Sequence, residues 1–350
     1  NNNNNNNINE EDTVRDIKIT EKMNINIQSM LQLIMFGIIE IIKSIVKLFI
    51  PLKNQMKNIS GEIALVTGAA GGLGRALALN LVNHGAIVVI WDINQKGIDE
   101  TVKLIKAAGG TCYGYICDVR NREDIYKTAK LVQAEVGQVN ILINNAGVIN
   151  IGIFWKTPDN LLSHVMEVNI LSQFWTVKAF LPEMIESNKG HIVNIASIAG
   201  LIGFPTVVDY CTSKYATIGF SEALQMELDF HGHDIKTTVV CPIFIHNTSI
   251  STTKYSGIFS TLSPQEVAER TITSLRCNTE LVLLQILPEN VTCTFLILFL
   301  NFYILQFNNK SKYIFRILPR YFFFRILRSV FKHDPTEFEP IESRKTSIIN

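Results

Sequence analysis

The hydrophobic positions from residue 57 to about residue 285 fall into short apolar runs, separated by helical segments of ten or more residues. The runs are rich in β-branched residues and lack polar alternation, which is typical of parallel strands buried on both faces. They read IALVT (63–67), IVVIW (87–91), CYGYIC (112–117), NILIN (140–144), HIVNIA (191–196), TTVVC (237–241) and LVLLQ (281–285). The pattern predicts an α/β fold, a doubly wound parallel sheet of about seven strands with helices on both faces.

The N-terminal flank has two parts of opposite character. Residues 1–27 are polar, rich in asparagine and of low complexity, which is typical of a disordered tail, and they lack the basic start and apolar core of a signal peptide. Residues 28–56 are mostly apolar, with Glu40, Lys43 and Lys47 along one narrow stripe. We expect this stretch to form a helix in the membrane interface, since three charges weaken a spanning role. A helix packed on the domain is the alternative.

The C-terminal flank is apolar first and basic afterwards. Residues 290–309 carry no charge over 20 positions, and residues 310–332 hold seven basic side chains and no acid, interleaved with aromatic residues. This composition suits an anionic lipid surface, so we predict a membrane-associated segment over 289–333 and a flexible tail over 334–350. A nucleic-acid-binding arm is the alternative for the basic part. The uncharged part is interpreted as a membrane hairpin or as a stretch that the mature message lacks.

Composition narrows the classes of function. The net charge of +1, from 32 basic and 31 acidic residues, argues against a nucleic-acid-binding protein. A mean hydropathy of +0.20 is high for a soluble protein and indicates apolar segments outside a single core. The six cysteines form no CxxC pair and no cluster with zinc spacing. We therefore expect reduced, mostly buried thiols and no metal site.

A glycine-rich turn, VTGAAGGLG, follows the first predicted strand. Gly68, Gly72 and Gly74 lack a Cβ, so the backbone can approach a pyrophosphate at the start of the next helix. Asp92 ends the next strand, 18 residues after Gly74. A carboxylate there can accept hydrogen bonds from a ribose 2′-hydroxyl and repels a 2′-phosphate, so the pattern predicts NAD in preference to NADP. Arg75 is a counter-signal, and a strand-end cap is the alternative role of Asp92.

Four further motifs follow in order along the chain. They are CDV at 117–119, NNAG at 144–147, Ser197 within NIASIAG, and Tyr210 four residues before Lys214. By itself the last pair is an ordinary pair of helix neighbours. Together with the glycine turn, the set resembles the short-chain dehydrogenase/reductase family over residues 57–275. The N-terminal flank and WDIN are similar to its membrane-associated subgroup, which holds 17-beta-hydroxysteroid dehydrogenase types 11 and 13 and retinol dehydrogenase 10.

The resemblance implies a catalytic set. Tyr210 is expected to remove the proton from the substrate hydroxyl and to return it in the reverse reaction. A free phenol has a pKa of about 10, so the Lys214 ammonium and the positive nicotinamide are expected to lower the pKa of Tyr210. Ser197 is expected to bind the substrate oxygen, and Asn169 to hold a water that links Lys214 to solvent. For Asn169 the alternative is an ordinary hydrogen-bonded buried amide.

The resemblance also implies a set of cofactor contacts, with one departure from the family pattern. The family usually has Pro-Gly after the sixth strand and a threonine five residues after the proline. Here Ile243 replaces the glycine, Asn247 is the fifth residue after Pro242, and Thr248 follows it. We favour Thr248 as the nicotinamide contact. The predicted cofactor-binding residues are Gly68, Gly72, Leu73, Gly74, Asp92, Asp118, Val119, Asn145, Ala146, Gly147, Tyr210, Lys214 and Thr248.

The sequence thus predicts an NAD-dependent oxidoreductase, with its catalytic domain over 57–288. We expect it to interconvert a hydrophobic alcohol (a sterol, retinol or long-chain lipid alcohol) and its carbonyl. The resemblance further implies the endoplasmic reticulum membrane or a lipid droplet, with the domain facing the cytosol, and a homodimer through helices near 158–186 and 209–231. Two rival hypotheses remain: an NADP-dependent carbonyl reductase, and a non-catalytic scaffold on a lipid surface.

Overall fold

The computed structural model describes residues 50–243, 245, 262–284 and 347–349, together with Met35 and Ile39. The predicted Asn-rich tail, the segment over 289–333 and most of the predicted interface helix lie outside the described residues. Within that predicted helix, Met35 and Ile39 are helical and exposed. Among the residues that the structure describes, no helix is both long and apolar enough to cross a membrane.

Seven parallel strands form one sheet in the order β3-β2-β1-β4-β6-β7-β8. The predicted doubly wound fold is therefore confirmed, and the strand positions agree to within two residues. The strands are β1 (Ile63–Thr67), β2 (Ile87–Asp92), β3 (Cys112–Ile116), β4 (Ile141–Asn144), β6 (Gly190–Ile195), β7 (Ile235–Pro242) and β8 (Leu281–Leu284). A separate pair joins β5 (Gly147–Ile149) antiparallel to β9 (Ser347–Ile349), so these three residues of the predicted flexible tail are in fact paired.

Helices cover both faces of the sheet. In chain order they are α1 (Leu52–Gln55), α2 (Gly72–Asn83), α3 (Gln95–Ala107), α4 (Arg122–Glu135), α5 (Asp159–Met166), α6 (Ser172–Glu186), α7 (Val208–Phe230) and α8 (Pro264–Arg276). Short 3₁₀ turns span Phe154–Lys156 and Ile198–Gly200, and a π-helix spans Glu167–Leu171. Because both faces are covered, successive strand residues enter different cores, with Ala64 and Val66 in one and Leu65 in the other. This explains why the strands are apolar throughout.

The strand order reverses between β1 and β4, the place where ligands bind in open α/β sheets. The carboxyl ends of β1 and β4 meet there. The crevice at this reversal is lined by residues of the predicted site.

Of the cysteines, five lie in the described part of the chain. All five are free and four are buried, in agreement with the sequence-based expectation.

A partly buried Lys–His pair lies near the amino-terminal end of β6, away from the crevice at the carboxyl ends of the strands. Lys57 Nζ lies 2.8 Å from His191 Nδ1, and His191 Nε2 lies 2.8 Å from Thr238 Oγ1. Burial lowers the pKa of Lys57 to about 8 and holds the pKa of His191 well below its usual range. His191 is therefore a neutral imidazole that accepts from Lys57 through Nδ1 and donates to Thr238 through Nε2. The pair joins the chain just before β1 to strands β6 and β7.

His191 makes the stability of the protein sensitive to acid. Below pH 6.5 the unfolded chain binds a proton on this histidine that the folded chain does not, so stability falls as the pH falls. We expect His191→Gln to reduce the loss of unfolding free energy between pH 7 and pH 5, by on the order of 1 kcal/mol. Urea titrations at the two pH values measure this. His231→Gln, at an exposed histidine, is the control and should leave the loss unchanged.

Candidate active site

The turn after β1 is shaped by glycines that tolerate no side chain. Gly68 and Gly72 have φ of +66° and +51°, a region that disfavours other residues. A Cβ on Gly74, in the first turn of α2, would overlap the carbonyl oxygen of Gly68 and lie 2.8 Å from Asn145 Nδ2. The turn thus packs directly against the segment after β4. Because its glycines have no side chains, their backbone is uncovered at the start of α2. This cradle fits a pyrophosphate.

Asp92 has the position predicted for it and also a structural role. Its side chain is buried at the end of β2. Oδ2 accepts a hydrogen bond from the Ala70 amide (2.9 Å) and Oδ1 accepts one from the Asn94 amide (3.0 Å). The strand-end cap and the ribose contact are therefore not exclusive readings, because a carboxylate has further lone pairs to offer.

A cavity of about 260 Å³ runs from the glycine turn past Asp92. It brings together several predicted cofactor residues: Gly68, Asp92, Asp118, Val119, Ala146 and Gly147. The guanidinium of Arg75 is held elsewhere, by Thr101 Oγ1 at 2.9 Å and Glu100 Oε2 at 3.1 Å. The sequence reasoning missed His164 and Arg120 in the wall of this cavity; Arg120 forms an ion pair with Asp118.

A smaller cavity, of about 40 Å³, brings together the predicted catalytic side chains. Ser197, Tyr210 and Lys214 all line it, with Leu73 and Asn145 from the cofactor set. Ser197 follows β6, and the other two lie on one face of the first two turns of α7. Gly147 lines both cavities, so the two halves of the predicted site adjoin.

Burial is the main influence on the pKa of Tyr210. Burial raises the pKa of Tyr210 to about 12, while a hydrogen bond with Ser197 acts in the opposite direction. Lys214 Nζ donates to the Ile195 carbonyl at 2.8 Å and lies 5.6 Å from the centroid of the Tyr210 ring. Burial lowers the pKa of Lys214 to about 8. In the protein alone the desolvation of the phenolate is the larger effect on the pKa of Tyr210, so a lowered pKa in the presence of the positive nicotinamide stays a prediction.

Asn169 lies in the π-helix and its side chain is fully occupied by protein groups. Oδ1 accepts from the Val148 amide (2.8 Å), and Nδ2 donates to the Val148 carbonyl (2.9 Å) and to Ser213 Oγ (3.0 Å). The alternative reading, a hydrogen-bonded buried amide, thus describes its contacts. Its Oδ1 nevertheless faces the same side of Gly147 as Lys214 Nζ, since a Cβ on Gly147 would lie 3.5 Å from one and 3.6 Å from the other.

Two further residues escaped the sequence analysis, and one predicted residue cannot be placed. Thr67 Oγ1 accepts hydrogen bonds from the amides of Asn145 and Ala146, both at 3.1 Å. Ser213 joins Asn169 to the Tyr210 carbonyl. The signal for both was their position next to a motif: Thr67 directly before Gly68, and Ser213 three residues after Tyr210. Thr248 lies outside the described residues.

Comparison with known proteins agrees with this geometry. Residues 62–257 match the family model for short chain dehydrogenase. The chain is 44% identical to short-chain dehydrogenase/reductase family 16C member 6 of Bos taurus, over 64% of this chain and 72% of that protein. It is 43% identical to human estradiol 17-beta-dehydrogenase 11 (65% and 76%) and 40% identical to mouse epidermal retinol dehydrogenase 2 (72% and 84%).

Solved structures give the same result. A short-chain dehydrogenase/reductase from Burkholderia phymatum in complex with NAD has a TM-score of 0.60 and 28% identity, over 65% of this chain and 90% of that one. A metagenomic short-chain oxidoreductase in complex with NADP has a TM-score of 0.57 and 26% identity, over 67% and 100%. The chain belongs to the short-chain dehydrogenase family and is an NAD(P)-dependent oxidoreductase acting on CH–OH groups. The predicted family and subgroup resemblance are confirmed.

The glycine cradle yields a test of the cofactor site. We expect Gly74→Ala to weaken NADH binding at least tenfold, because the added Cβ would push the turn off the segment after β4. Fluorescence titration with NADH measures this. Gly219→Ala is the matched control: Gly219 is also helical, but its Cβ would meet open space. That variant should bind NADH as the wild type does, and equal binding by both variants would contradict the cradle.

Proposed function

We propose that the protein is an NAD-dependent dehydrogenase that interconverts a hydrophobic alcohol and its ketone or aldehyde, with Tyr210 as the acid/base. The observation that carries the proposal is the convergence of Ser197, Tyr210 and Lys214 on one small cavity, which shares Gly147 with the cofactor-side cavity. The cofactor-side cavity would hold the acceptor of the hydride that leaves the carbinol carbon, and Tyr210 would accept the proton that leaves the hydroxyl oxygen on that carbon. Oxidation of an alcohol requires both.

Each polar side chain has one task in this reaction. Bound NAD supplies the hydride acceptor. Tyr210 Oη takes the proton from the substrate hydroxyl, and the Ser197 hydroxyl orients the substrate oxygen. Because burial raises the pKa of Tyr210 to about 12, stabilisation of the phenolate by positive charge is needed for work at neutral pH. Lys214, with a pKa of about 8, remains mostly protonated at pH 7 and supplies part of that charge.

NAD is the proposed cofactor because the carboxylate of Asp92 lines the larger cavity, while the guanidinium of Arg120 in the same wall is already paired with Asp118. A 2′-phosphate would meet this buried negative charge. The guanidinium of Arg75 is already bonded to Glu100 and Thr101, so it is a poor phosphate ligand in this arrangement. Thr248 is proposed as the nicotinamide contact, on the resemblance alone.

A hydrophobic substrate fits the surroundings of Tyr210. Ile149, Ala199 and Cys211 are buried with Tyr210 in one apolar cluster. Ile151, Phe204 and Val207 pack against it, from the segment after β5 and the loop before α7. The relatives named for estradiol and retinol act on alcohols of this kind. A steroid, retinoid or long-chain lipid alcohol is therefore the proposed substrate class.

Two properties of the whole chain are proposed on sequence grounds. The apolar and basic flanks would hold the enzyme on a membrane or lipid droplet, which vesicle co-sedimentation of the full chain tests. A homodimer would form through the surface of α5–α6 and α7, which correspond to the helices predicted near 158–186 and 209–231. Analytical ultracentrifugation in detergent tests this: a monomer at micromolar concentration would contradict it.

Tyr210→Phe tests the acid/base role. We expect kcat with NAD and estradiol or retinol to fall at least a thousandfold, because the phenylalanine has no proton to exchange. The measurement is NADH absorbance in steady state. Tyr126→Phe on α4 removes a phenol remote from both cavities and should keep wild-type activity. Wild-type turnover that survives in Tyr210→Phe would rule out the mechanism, and NAD binding with no turnover of any alcohol would favour the scaffold hypothesis.

Asp92→Asn tests the cofactor preference. Asparagine keeps one acceptor oxygen, so it can retain one of the two backbone hydrogen bonds to this side chain, and it removes the charge. We expect the ratio of kcat/KM for NAD to that for NADP to fall at least tenfold. Asp99→Asn makes the same charge change at an exposed position of α3 and should leave the ratio unchanged. A wild-type enzyme that prefers NADP and reduces carbonyls would overturn the proposal of NAD and support the carbonyl reductase.

A further inference from the structure

Gln173, the second residue of α6, is a buried glutamine beside the proposed site. Its side chain is 1% exposed, and its Nε2 donates to the backbone carbonyl of Asn169 at 2.8 Å. The same nitrogen lies 3.5 Å from Thr217 Oγ1 on α7. Gln173 Oε1 has no hydrogen-bond partner among the described residues, so the donor half of the amide makes the contacts. Neither the glycine turn nor the cavities include this residue.

The contact lies at the end of an irregular helical turn. The amide of Ser172 donates to the Glu167 carbonyl, five residues back, as in a π-turn. A π-turn holds one residue more than an α-turn, and each residue of an α-helix turns by about 100° about the helix axis. If the π-turn became a regular α-turn, the residues before it would therefore rotate by about 100° about the axis relative to the residues after it. Asn169 would then no longer face Val148 and Ser213. An interaction that holds this turn therefore fixes the direction of the Asn169 side chain.

Gln173 is the side chain that reaches into the turn. It donates to the Asn169 carbonyl and, through Thr217, approaches helix α7 one turn beyond Ser213. Asn169 in turn holds the backbone of Val148, next to Gly147, and meets Ser213, whose hydroxyl donates to the Tyr210 carbonyl at 2.8 Å. The side-chain amide of Gln173 thus supports, through Asn169, the backbone of Val148 next to Gly147 and the Ser213 hydroxyl that binds the Tyr210 carbonyl.

We propose that Gln173 is a positioning residue that holds the π-turn and thereby sets Asn169, the backbone beside Gly147 and the first turn of α7 for catalysis. The proposal rests on the proposed dehydrogenase reaction for its kinetic consequence, but not for its structural one. Loss of the amide removes the side-chain hydrogen bond to the Asn169 carbonyl in the turn, which favours rearrangement of the turn. Gln173 lines neither cavity of the proposed site, so we expect the effect on kcat rather than on KM.

Gln173→Met tests the proposal, since methionine keeps the length and burial of the side chain and removes the donor. We expect a fall in kcat of at least tenfold with estradiol and NAD as probes, and a change in either KM of less than threefold. We also expect hydrogen exchange at the Val148 amide, which donates to Asn169, to accelerate beyond the factor that the loss of global stability explains. Exchange is measured by NMR on the full chain in detergent, with stability from urea titration.

Gln225→Met is the matched control. Gln225 is also buried, lies at the far end of α7, and makes three hydrogen bonds, to Asp229, Ile235 and Thr237. This variant should lose stability without a fall in kcat or extra exchange at Val148. Gln173→Glu adds a second readout, because a buried carboxyl donates only when protonated. Its activity relative to the wild type should rise as the pH falls from 8 to 6.

The outcomes separate the two proposals. Gln173→Met with wild-type kcat and unchanged exchange at Val148 overturns the positioning role. So does an equal kinetic loss in Gln225→Met, because that result means a general loss of stability. If the wild type turns over no alcohol, the proposed function fails, and accelerated exchange at Val148 in Gln173→Met alone still supports the role of Gln173 in holding the turn.

Discussion

The close contact between the turn after β1 and the segment after β4 is the constraint on which the site depends. Asn145 Nδ2 donates to the carbonyls of Thr67 and Gly68, and Thr67 Oγ1 accepts from two amides of the other segment. The backbones approach so closely that a Cβ on Gly68 would lie 2.8 Å from Ala146 Cα. This contact lies at the carboxyl ends of β1 and β4, where the strand order of the open sheet reverses. It also places the larger cavity and the small cavity at Tyr210 on either side of Gly147.

A second layer of organisation lies between the sheet and helices α6 and α7. There Thr176, Asn144, Asn194 and Ser221 form a continuous run of hydrogen bonds at 2.7–2.8 Å. All four are buried. Polar groups of this kind are costly when unpaired and specific when paired, so they fix how the helices sit on the sheet. Helix α7, which carries Tyr210 and Lys214, therefore packs on this polar run as well as on the apolar cluster of the same face, through Leu228.

The fold was largely predictable because its determinants are local. Most strands of the large sheet are apolar runs bounded by polar residues and buried on both faces, although β3 is largely exposed. The ends of these strands differ from the prediction, as at β7, which begins two residues earlier, and the β5–β9 pair was not predicted. The meeting of Ser197, Tyr210 and Lys214 at one cavity was expected from the family resemblance, and not from their spacing alone. The π-helix around Asn169 and the contacts of Gln173 were not predictable, because they depend on groups from β5 and α7 that are distant in sequence. The raised pKa of Tyr210 escaped prediction for the same reason, since burial is a property of the whole fold.

Asp92 binds two amides of its own chain while it faces the cavity. The residue proposed to discriminate between cofactors is therefore also a structural acceptor for the glycine turn, through Ala70. Cofactor choice and the shape of the phosphate cradle are coupled in one carboxylate. A neutral residue without an acceptor at this position would release the turn as well as admit a phosphate. In this chain, a natural change of cofactor at Asp92 would accordingly require another acceptor for the Ala70 amide. A single substitution that removed both the charge and the acceptor would also disturb the glycine turn.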